Sequence, residues 1–182
     1  MSRSPEAREW RDIWSVGGAA ALSDLLSSCM ATLLMSRPTR PAYFASPFIT
    51  DFPLFDNRLG AYGVLFPEFA DASEIRLTQF LARLATLTEV RIMTTRTKQS
   101  AEFVSNEFIR GSRVHLKFAA EITHEKGILA QDFYLEGSMN LTYKGVYING
   151  EKVMYYASGS PNGNEKIARA YLEFDRKWQN LP

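Results

Sequence analysis

The sequence predicts an α/β sandwich, in which a mixed β-sheet is flanked by helices. Two observations lead to this fold class. Short apolar runs of strand length alternate with longer segments whose apolar residues recur at helical spacing. The 182 residues, of which 46% are hydrophobic and 23% charged, are enough for one well-packed core. We therefore expect a single domain over residues 1–182, with residues 1–36 as an N-terminal helical segment packed on it.

The beginning of the chain is predicted to be helical. Residues 5–16 carry Trp10, Ile13 and Trp14 at helical spacing among charged residues.

A second amphipathic helix is expected from Leu22 onwards, where apolar residues follow the i, i+3, i+4, i+7 pattern. Its apolar face suits core packing, with a dimer face as the alternative. Residues 17–35 superficially resemble a membrane or signal segment, but Asp24 and three serines interrupt the apolar run. We expect a core helix and no membrane association.

The remaining elements follow from apolar periodicity and from turn residues. In chain order we expect a strand at 42–45, irregular structure over 52–71, a helix over 71–87, a strand at 90–94, a helix at 100–110, strands at 114–119 and 128–135, a loop or short helix at 143–150, a strand at 152–156 and a last helix from about 165.

Polar residues directly after the 42–45 strand are candidates for a pocket. Ser46, Thr50 and Asp51 would lie at the carboxyl end of that strand, the usual edge for a site in a sheet flanked by helices. A turn and helix cap is the alternative role for the same residues.

The stretch from His124 to Glu151 is the most informative part of the sequence. His124 and Lys126 are two residues apart, so in an extended strand their side chains would project from one face. Residues 137–140 read Gly-Ser-Met-Asn, which suits a tight turn able to bind an anion. A nucleophile, a cation and nearby amide or hydroxyl donors indicate a phosphate site.

These residues resemble the phospholipase D superfamily, and most closely its small bacterial nucleases that carry one motif per chain. The matching features are the His124-x-Lys126 pair, Asp132, the run 137–142 and the run 149–151, in which Glu151 follows the turn asparagine by eleven residues. The resemblance is strong over residues 113–157 and fainter over 42–51 and 174–178. Two spacings differ: five residues rather than four precede Asp132, and four rather than six follow it before the turn glycine.

The resemblance implies a metal-independent phosphodiesterase, and within that class a DNA endonuclease that acts through a phosphohistidine intermediate. It implies catalytic roles for four residues, namely His124, Lys126, Asn140 and Glu151. Ser138 would join Lys126 and Asn140 in holding the phosphoryl oxygens, whereas Asp132 and Gly137 would be structural. No cofactor is expected, and the sequence has no histidine, cysteine or carboxylate cluster with metal-ligand spacing.

The chain has one such motif, whereas the superfamily's chemistry uses two. The resemblance therefore implies a homodimer in which two chains share one site. DNA is the expected substrate, and the family association suggests other subunits of a defence or DNA-modification system as partners. The alternatives are a phospholipid hydrolase or transferase and a catalytically silent nucleic-acid-binding subunit of a defence complex.

Cysteine content and net charge bear on the cellular location of the protein and on how it could bind nucleic acid. Cys29 is the single cysteine, so no intrachain disulfide can form and a cytoplasmic location is expected. The net charge is about +1, so a nuclease would need a local basic cleft. The cations proposed for it are Arg96, Lys98, Arg110, Arg113 and Lys144.

A second His-x-Lys triplet, at His115 and Lys117, competes for the catalytic role. It lies 22 residues before Gly137, too far to match the family spacing, and is expected to be part of a strand. We therefore assign the catalytic histidine to His124.

Overall fold

The computed structural model describes residues 10–14, 20–120 and 126–182. His124 and the flanks of the first predicted helix lie outside these ranges. The elements, in chain order, are β1 (Trp10–Trp14), α1 (Ala20–Ser36), β2 (Ala42–Ala45), β3 (Pro53–Asp56), a short 3-10 turn (Pro67–Phe69), β4 (Glu74–Arg76), α2 (Leu77–Leu84), β5 (Val90–Thr95), α3 (Lys98–Ser105), α4 (Glu107–Arg110), β6 (Val114–Ala119), β7 (Gly127–Leu129), β8 (Phe133–Gly137), α5 (Tyr143–Tyr147), β9 (Lys152–Ala157) and α6 (Pro161–Asn180).

Seven of these strands form one mixed sheet in the order β1-β9-β8-β7-β2-β5-β6. Strands β2, β5 and β6 are parallel to one another, whereas β7 is antiparallel to β2 and the pairing stays antiparallel through β8 and β9 to β1. Strands β3 and β4 pair separately. With apolar cores on both faces of the sheet, the predicted α/β/α sandwich is confirmed.

Strand β2 shows how the sheet separates the two cores. Ala42 and Phe44 belong to the larger core, and Tyr43 and Ala45 to the smaller one. Successive side chains of a strand point to opposite faces, so four consecutive buried residues feed both cores. Burial on both faces is what a central strand between helical layers requires.

Helix α6 covers the smaller core with one apolar stripe. The stripe residues recur at helical spacing and are Ile167, Ala170, Tyr171 and Phe174. The helix begins at Pro161, four residues before its predicted start, because the Ser160 hydroxyl accepts a hydrogen bond from the Gly163 amide (3.0 Å) and caps the first turn.

A polar network fastens α6 to the buried strand β2. The hydroxyl of Tyr43 donates a hydrogen bond to Asp175, and Arg91 donates to both the Tyr43 hydroxyl and the Asp175 carboxylate. Burial, together with the hydrogen bond to Asp175, raises the pKa of Tyr43 well above its ordinary value. The tyrosine therefore stays a neutral donor at any physiological pH.

Helix α1 confirms the predicted amphipathic helix and contributes to the larger core. Its buried residues are Leu22, Leu26, Cys29, Met30, Leu33 and Leu34. Burial raises the pKa of the Cys29 thiol to about 12, so this cysteine is an unreactive core residue. Among the described residues, no helix is both long and apolar enough to cross a bilayer.

Residues 10–14 form strand β1, so the predicted helix is wrong over this part of its length. The strand pairs with β9 in antiparallel register, with Trp10 opposite Tyr156 and Trp14 opposite Lys152. Tryptophan and isoleucine favour strands as readily as helices, and the segment is too short for its period to decide. The free edge of β9 selects the extended conformation.

The single strand expected at 128–135 is a hairpin of β7 and β8. Its turn is closed by the Ala130 amide, which donates to the Phe133 carbonyl (2.9 Å). The turn contains neither glycine nor proline, and both of its arms are apolar, so the sequence shows no break. This turn reverses the chain between the two halves of the motif.

Three further segments differ from prediction. The helix expected from residue 71 begins at Leu77, after β4, and the irregular stretch 52–71 includes β3. The helix expected over 100–110 is divided at Asn106, whose extended backbone (ψ 136°) ends α3 and whose side chain caps α4. By contrast, β2, β5, β6, β9 and the short helix α5 lie where they were predicted.

Candidate active site

Three strand ends bring the described residues of the motif together at one edge of the sheet. Strand β7 begins at Gly127, β8 ends at Gly137 and β9 begins at Lys152. Gly127 pairs with Glu136, and Gly137 pairs with Val153. Because the three strands are neighbours and antiparallel, the residues just outside them meet at this edge. These residues are Lys126, Ser138 and Glu151.

The main chains of the two motif halves are hydrogen-bonded to each other. The amide of Gly137 donates to the carbonyl of Lys126 (3.4 Å), the last rung of the β7–β8 ladder. The half-buried Lys126 also lines a small cavity together with Met139 and Leu141. The backbone of Lys126 therefore lies at the edge, directly beside the turn that follows β8.

Glu151 is a buried carboxylate held by the turn. Its side chain accepts hydrogen bonds from the Ser138 hydroxyl and from the Asn149 amide nitrogen (3.2 Å). The residue is only 8% exposed. A buried carboxylate is unfavourable unless it is hydrogen-bonded, so these donors are part of what keeps Glu151 at the edge.

Ser138 links the end of β8 to the start of β9, in addition to its hydrogen bond with Glu151. Its hydroxyl oxygen accepts from the Lys152 amide (3.0 Å), and its own amide donates to the Lys152 carbonyl (3.0 Å). The hydroxyl proton is directed to Glu151, so a phosphate oxygen would have to compete with that carboxylate for it. The phosphate-binding role predicted for Ser138 remains a prediction.

Asn140 carries an unsatisfied polar atom. Its side-chain oxygen is buried and has no hydrogen-bond partner among the described residues, although its backbone carbonyl accepts from the Thr142 amide (2.8 Å). Leaving a buried acceptor unpaired costs free energy, and such an atom in a cluster of polar residues calls for a functional explanation. A donor brought by a substrate would satisfy it.

Two glycines permit this close packing. A Cβ at position 137 would lie 2.1 Å from the Lys152 carbonyl oxygen, and a Cβ at position 145 would lie 2.3 Å from the Asn140 carbonyl oxygen. Both contacts are with backbone atoms, which cannot rotate away. Gly137 lets β9 approach the turn, and Gly145 lets α5 approach Asn140.

Ser46 is hydrogen-bonded to the turn that follows β8. The residue is 1% exposed, and its hydroxyl donates to the Phe48 carbonyl (2.7 Å) and accepts from the Leu141 amide (3.0 Å). The Thr50 amide donates to the Leu141 carbonyl (2.9 Å). The loop after β2 and the turn after β8 are thus hydrogen-bonded side by side at the same edge.

Asp51 faces the start of α2. Its carboxylate accepts from the Thr78 amide (3.0 Å) in the first turn of that helix and from Arg76 Nε (2.6 Å). These bonds fit the cap that the sequence analysis left as the alternative to a pocket role.

Asp132 lies at the opposite end of the hairpin from this cluster. It belongs to the turn between β7 and β8, and its backbone carbonyl accepts from the Ser158 amide (2.8 Å) beyond the end of β9. The structure therefore does not bring Asp132 to Lys126, Ser138 and Glu151. Its predicted role, a structural one, needs no such contact.

The structure describes one of the two histidines of the sequence, His115. His124 lies outside the described residues. His115 is exposed on β6, the outermost strand, with β5 and β2 between it and β7. Lys117 is engaged elsewhere, since its Nζ donates to the carbonyls of Trp178 (3.0 Å) and Leu181 (2.7 Å) at the end of α6. The second triplet is thus part of a strand, as expected.

The cations proposed for one basic cleft divide between two edges. Arg96 and Lys98 follow the carboxyl end of β5, whereas Arg110 and Arg113 precede β6. Because β5 and β6 are parallel and in register, the two pairs lie about 20 Å apart along the strands. The five residues therefore do not form a single cleft, and only Arg96, Lys98 and the Lys144 of α5 remain near the motif edge.

Sequence reasoning missed the contribution of Asn149. Its side chain holds Glu151, and its position two residues before that glutamate was the available signal. Within the described part of the chain, no group of three or more histidine, cysteine, aspartate or glutamate residues is arranged to hold a metal ion.

Comparisons with known proteins bear on the fold. No protein-family model matches the sequence, and no curated protein sequence does either. The structure is similar to Nuc from Salmonella typhimurium, a phospholipase D family member, with a TM-score of 0.62 and 16% identity over 94% of this chain and 93% of that one. It is also similar to NucT from Helicobacter pylori, with a TM-score of 0.56 and 12% identity over 95% of this chain and 98% of that one.

Two larger proteins contain a similar unit. Polyphosphate kinase from Porphyromonas gingivalis matches with a TM-score of 0.61 and 11% identity over 96% of this chain and 26% of its own. TrmBL2, an archaeal chromatin protein described as having a novel mode of DNA binding, matches with a TM-score of 0.55 and 9% identity over 98% of this chain and 55% of its own. The chain therefore shares its fold with these proteins, of which Nuc is a phospholipase D family member.

Replacing Gly137 by alanine should destabilise the protein by about 3 kcal/mol, because the new methyl group would collide with the backbone of β9. Urea unfolding followed by circular dichroism would measure the change. Gly63→Ala is the matched control, since a Cβ there meets only ordinary contacts, and it should be close to neutral. Equal stability of the two variants would contradict the close approach.

Replacing Asp51 by alanine should lower the free energy of unfolding by about 2 kcal/mol, because α2 loses its cap and Arg76 loses its partner. Asp71→Ala, at an exposed turn, is the control and should be neutral. If Asp51→Ala leaves stability unchanged but weakens phosphate binding, Asp51 belongs to the pocket and not to the cap.

Proposed function

We propose that this protein is a metal-independent phosphodiesterase, and specifically a DNA endonuclease that acts through a phosphohistidine intermediate. The observation that carries the proposal is the meeting of Lys126, Ser138, Asn140 and Glu151 at one edge of a phospholipase D-like sheet. The fold alone does not specify an activity. The arrangement of these residues at the edge is what favours phosphodiester chemistry.

The proposed nucleophile is His124. It stands two positions before Lys126 in the sequence, which is the order that the resemblance requires of the nucleophile. Attack by the imidazole on phosphorus divides one difficult displacement into two easier ones. The imidazole must be unprotonated to attack, and the usual histidine pKa of about 6.5 leaves that form abundant at neutral pH.

The described residues would supply charge stabilisation and orientation. Lys126 and Asn140 would hold the phosphoryl oxygens, with Ser138 as a further donor if it exchanges its bond to Glu151. Glu151 would accept a hydrogen bond from the imidazole and fix its tautomer. Its existing bonds to Ser138 and Asn149 hold the carboxylate ready for that role.

The leaving alcohol needs a proton from a second acid, and this sequence holds one complete motif. We infer that two chains form one site about a two-fold axis, so that one His124 attacks and the other protonates the leaving group. Water then attacks the phosphohistidine and releases the imidazole, with the second His124 accepting the proton of that water, so both steps use the same residues in two copies without a cofactor.

DNA is the substrate we favour. TrmBL2, which shares the fold, is described as binding DNA, and Arg96, Lys98 and Lys144 lie toward the motif edge. Cations at this edge would neutralise backbone phosphates, so binding should weaken with salt. A cytoplasmic location and membership of a defence or DNA-modification system remain predictions from the sequence.

DNA cleavage in excess EDTA tests the catalytic assignment. The wild type should cut, His124→Ala should lose activity by about a thousandfold or more because it lacks the nucleophile, and His115→Ala should cut normally. His115→Ala is the matched control because it removes the other histidine of the chain.

The remaining outcomes discriminate among the alternatives. Loss of activity in His115→Ala with retention in His124→Ala would refute the assignment. If the wild type releases phospholipid headgroups instead of cutting DNA, the hypothesis of a phospholipid hydrolase or transferase replaces that of a nuclease. Salt-sensitive DNA binding without cleavage by any variant would instead favour a catalytically silent binding subunit.

The shared site can be tested by mixing chains. When wild-type and His124→Ala chains are refolded together, activity should fall with the square of the wild-type fraction, because only the wild-type homodimer has two intact histidines. Sedimentation should show a homodimer. A linear fall in activity, or a fully active monomer, would contradict the shared site.

A further inference from the structure

A cleft lined by two tyrosines lies beside α5, the short helix that follows the motif turn. Its volume is about 400 Å³, and α5 contributes Tyr143 and Tyr147 to its lining. Pro53 and Phe55 come from β3, and Glu74 from β4. The cleft therefore lies where the helix after the motif meets the separate pair of strands β3 and β4.

The cleft and Lys126 are on the same face of the main sheet. Val146 of α5 and Phe55 of β3 belong to the larger core, so both elements pack on the face that carries this core. Met139 and Leu141, which line the small cavity together with Lys126, belong to the larger core as well. A molecule held at Lys126 can therefore extend toward the cleft without crossing the sheet.

Tyr143 offers an aromatic face to solvent. The residue is 50% exposed, and its ring lies on that of Tyr147, with centroids 5.0 Å apart and planes inclined by 32°. Tyr147 is fixed in turn, because its hydroxyl donates to the Pro53 carbonyl (2.6 Å) and its ring makes a T-shaped contact with Phe52. An exposed ring supported by a second, anchored ring is arranged to stack a further flat ring.

Helix α5 connects the cleft to the proposed phosphate site. Gly145, two residues after Tyr143 and so on the opposite side of the helix, packs against the Asn140 carbonyl, where a Cβ would lie 2.3 Å from the oxygen. One helix width, about 10 Å, thus separates Asn140 from the cleft. A DNA strand whose phosphate is held at the turn would bring the base of a neighbouring nucleotide to Tyr143.

Polar groups at the cleft suit the edge of a nucleobase. Burial, and then the neighbouring Tyr143 and Glu74, raise the pKa of Tyr147, which shows that the Glu74 carboxylate lies close to the two rings. A carboxylate accepts hydrogen bonds from the exocyclic amino group of a base such as cytosine. The cleft therefore combines a surface for the face of a base with an acceptor for its amino group.

An organic cation is the alternative occupant, because aromatic faces beside carboxylates attract positive charge. The carboxylates that line the cleft are already paired, since Asp56 accepts from Arg58 Nε (2.9 Å) and Glu74 accepts from Arg76 Nη1 (2.7 Å). The arginines offset the negative charge but leave carboxylate oxygens able to accept further hydrogen bonds. A neutral ring with an amino group needs only such an acceptor, so the cleft favours a nucleobase over a cation.

We propose that Tyr143 stacks an unpaired nucleobase near the scissile phosphate and that Glu74 accepts a hydrogen bond from the amino group of that base; this inference rests on the nuclease function proposed above. Stacking requires the base to leave a duplex, so the substrate is single-stranded or locally unpaired DNA. Cytosine satisfies both contacts. Uracil and thymine present a carbonyl oxygen in place of the amino group and would face the carboxylate with a second acceptor.

Cleavage of two homopolymers tests the proposal. In excess EDTA, the wild type should cut single-stranded oligo(dC) about tenfold faster than oligo(dU), since a correct base-edge contact contributes that order of discrimination. Tyr143→Ala should cut oligo(dC) about tenfold more slowly than the wild type because it loses the stacking surface, whereas Tyr143→Phe keeps the ring and should match the wild type. Leu172→Ala, which removes an exposed apolar side chain from α6, is the control and should also match it.

A second variant tests the contact at the edge of the base. Glu74→Gln keeps the size of the side chain, but its amide can accept from cytosine or donate to uracil, so the two homopolymers should be cut at equal rates. If the wild type does not distinguish oligo(dC) from oligo(dU), or if Tyr143→Ala cuts as fast as the wild type, the base-binding role is overturned while the nuclease function stands.

A binding measurement separates failure of this inference from failure of the proposed function. If the wild type cuts no DNA, its affinity for a fluorescein-labelled oligo(dC) is measured by fluorescence anisotropy. Weaker binding by Tyr143→Ala that is restored in Tyr143→Phe supports the base site even without cleavage. Equal affinities of the three proteins, or a Tyr143 ring signal in NMR that shifts with tetramethylammonium and not with deoxycytidine 5′-monophosphate, overturn it.

Discussion

The site depends on keeping the Glu151 carboxylate satisfied at the end of the sheet. The side chain is buried, so each of its hydrogen bonds replaces solvation that water would otherwise provide. One donor, Ser138, comes from the turn after β8, and the other, Asn149, from the loop before β9. The same interaction that keeps the carboxylate buried therefore sets the separation between the two loops, and with it the position of Asn140 relative to Lys126.

The opposite face of the sheet is organised by α6. The helix is tied to the central strand through Tyr43, Arg91 and Asp175, and to the outermost strand β6 through Lys117. These contacts hold the end of the helix clear of the strands and leave a cavity between them. One face of the sheet thus anchors the motif loops, and the other offers space beside them.

The sequence predicted what local pattern and motif order determine. Buried strands such as β5 and the apolar face of α1 follow from periodicity, whereas the hydrogen bond between Ser138 and Glu151 was not among the predictions. It could not predict features set by distant partners. Strand β1 is extended because β9 offers a free edge, and α2 starts at Leu77 because Asp51, far away in sequence, caps it. The buried hydroxyl of Thr95, which has no hydrogen-bond partner within the described ranges, has no sequence signal at all.

The hairpin of β7 and β8 limits how the motif can change in length. Ten residues separate Lys126 from Gly137, one fewer than in the family that the motif resembles, where four residues, an aspartate and six residues stand between the lysine and the glycine. Residues within a two-stranded ladder come in facing pairs, so losing a single ladder residue would turn the others to the wrong face. An odd difference must therefore fall in the turn around Asp132, at the far end from the catalytic cluster. The turn can lose a single residue without changing the faces of the ladder side chains, whereas the strands can change length only by two residues, so the two ends of the motif still meet in this chain.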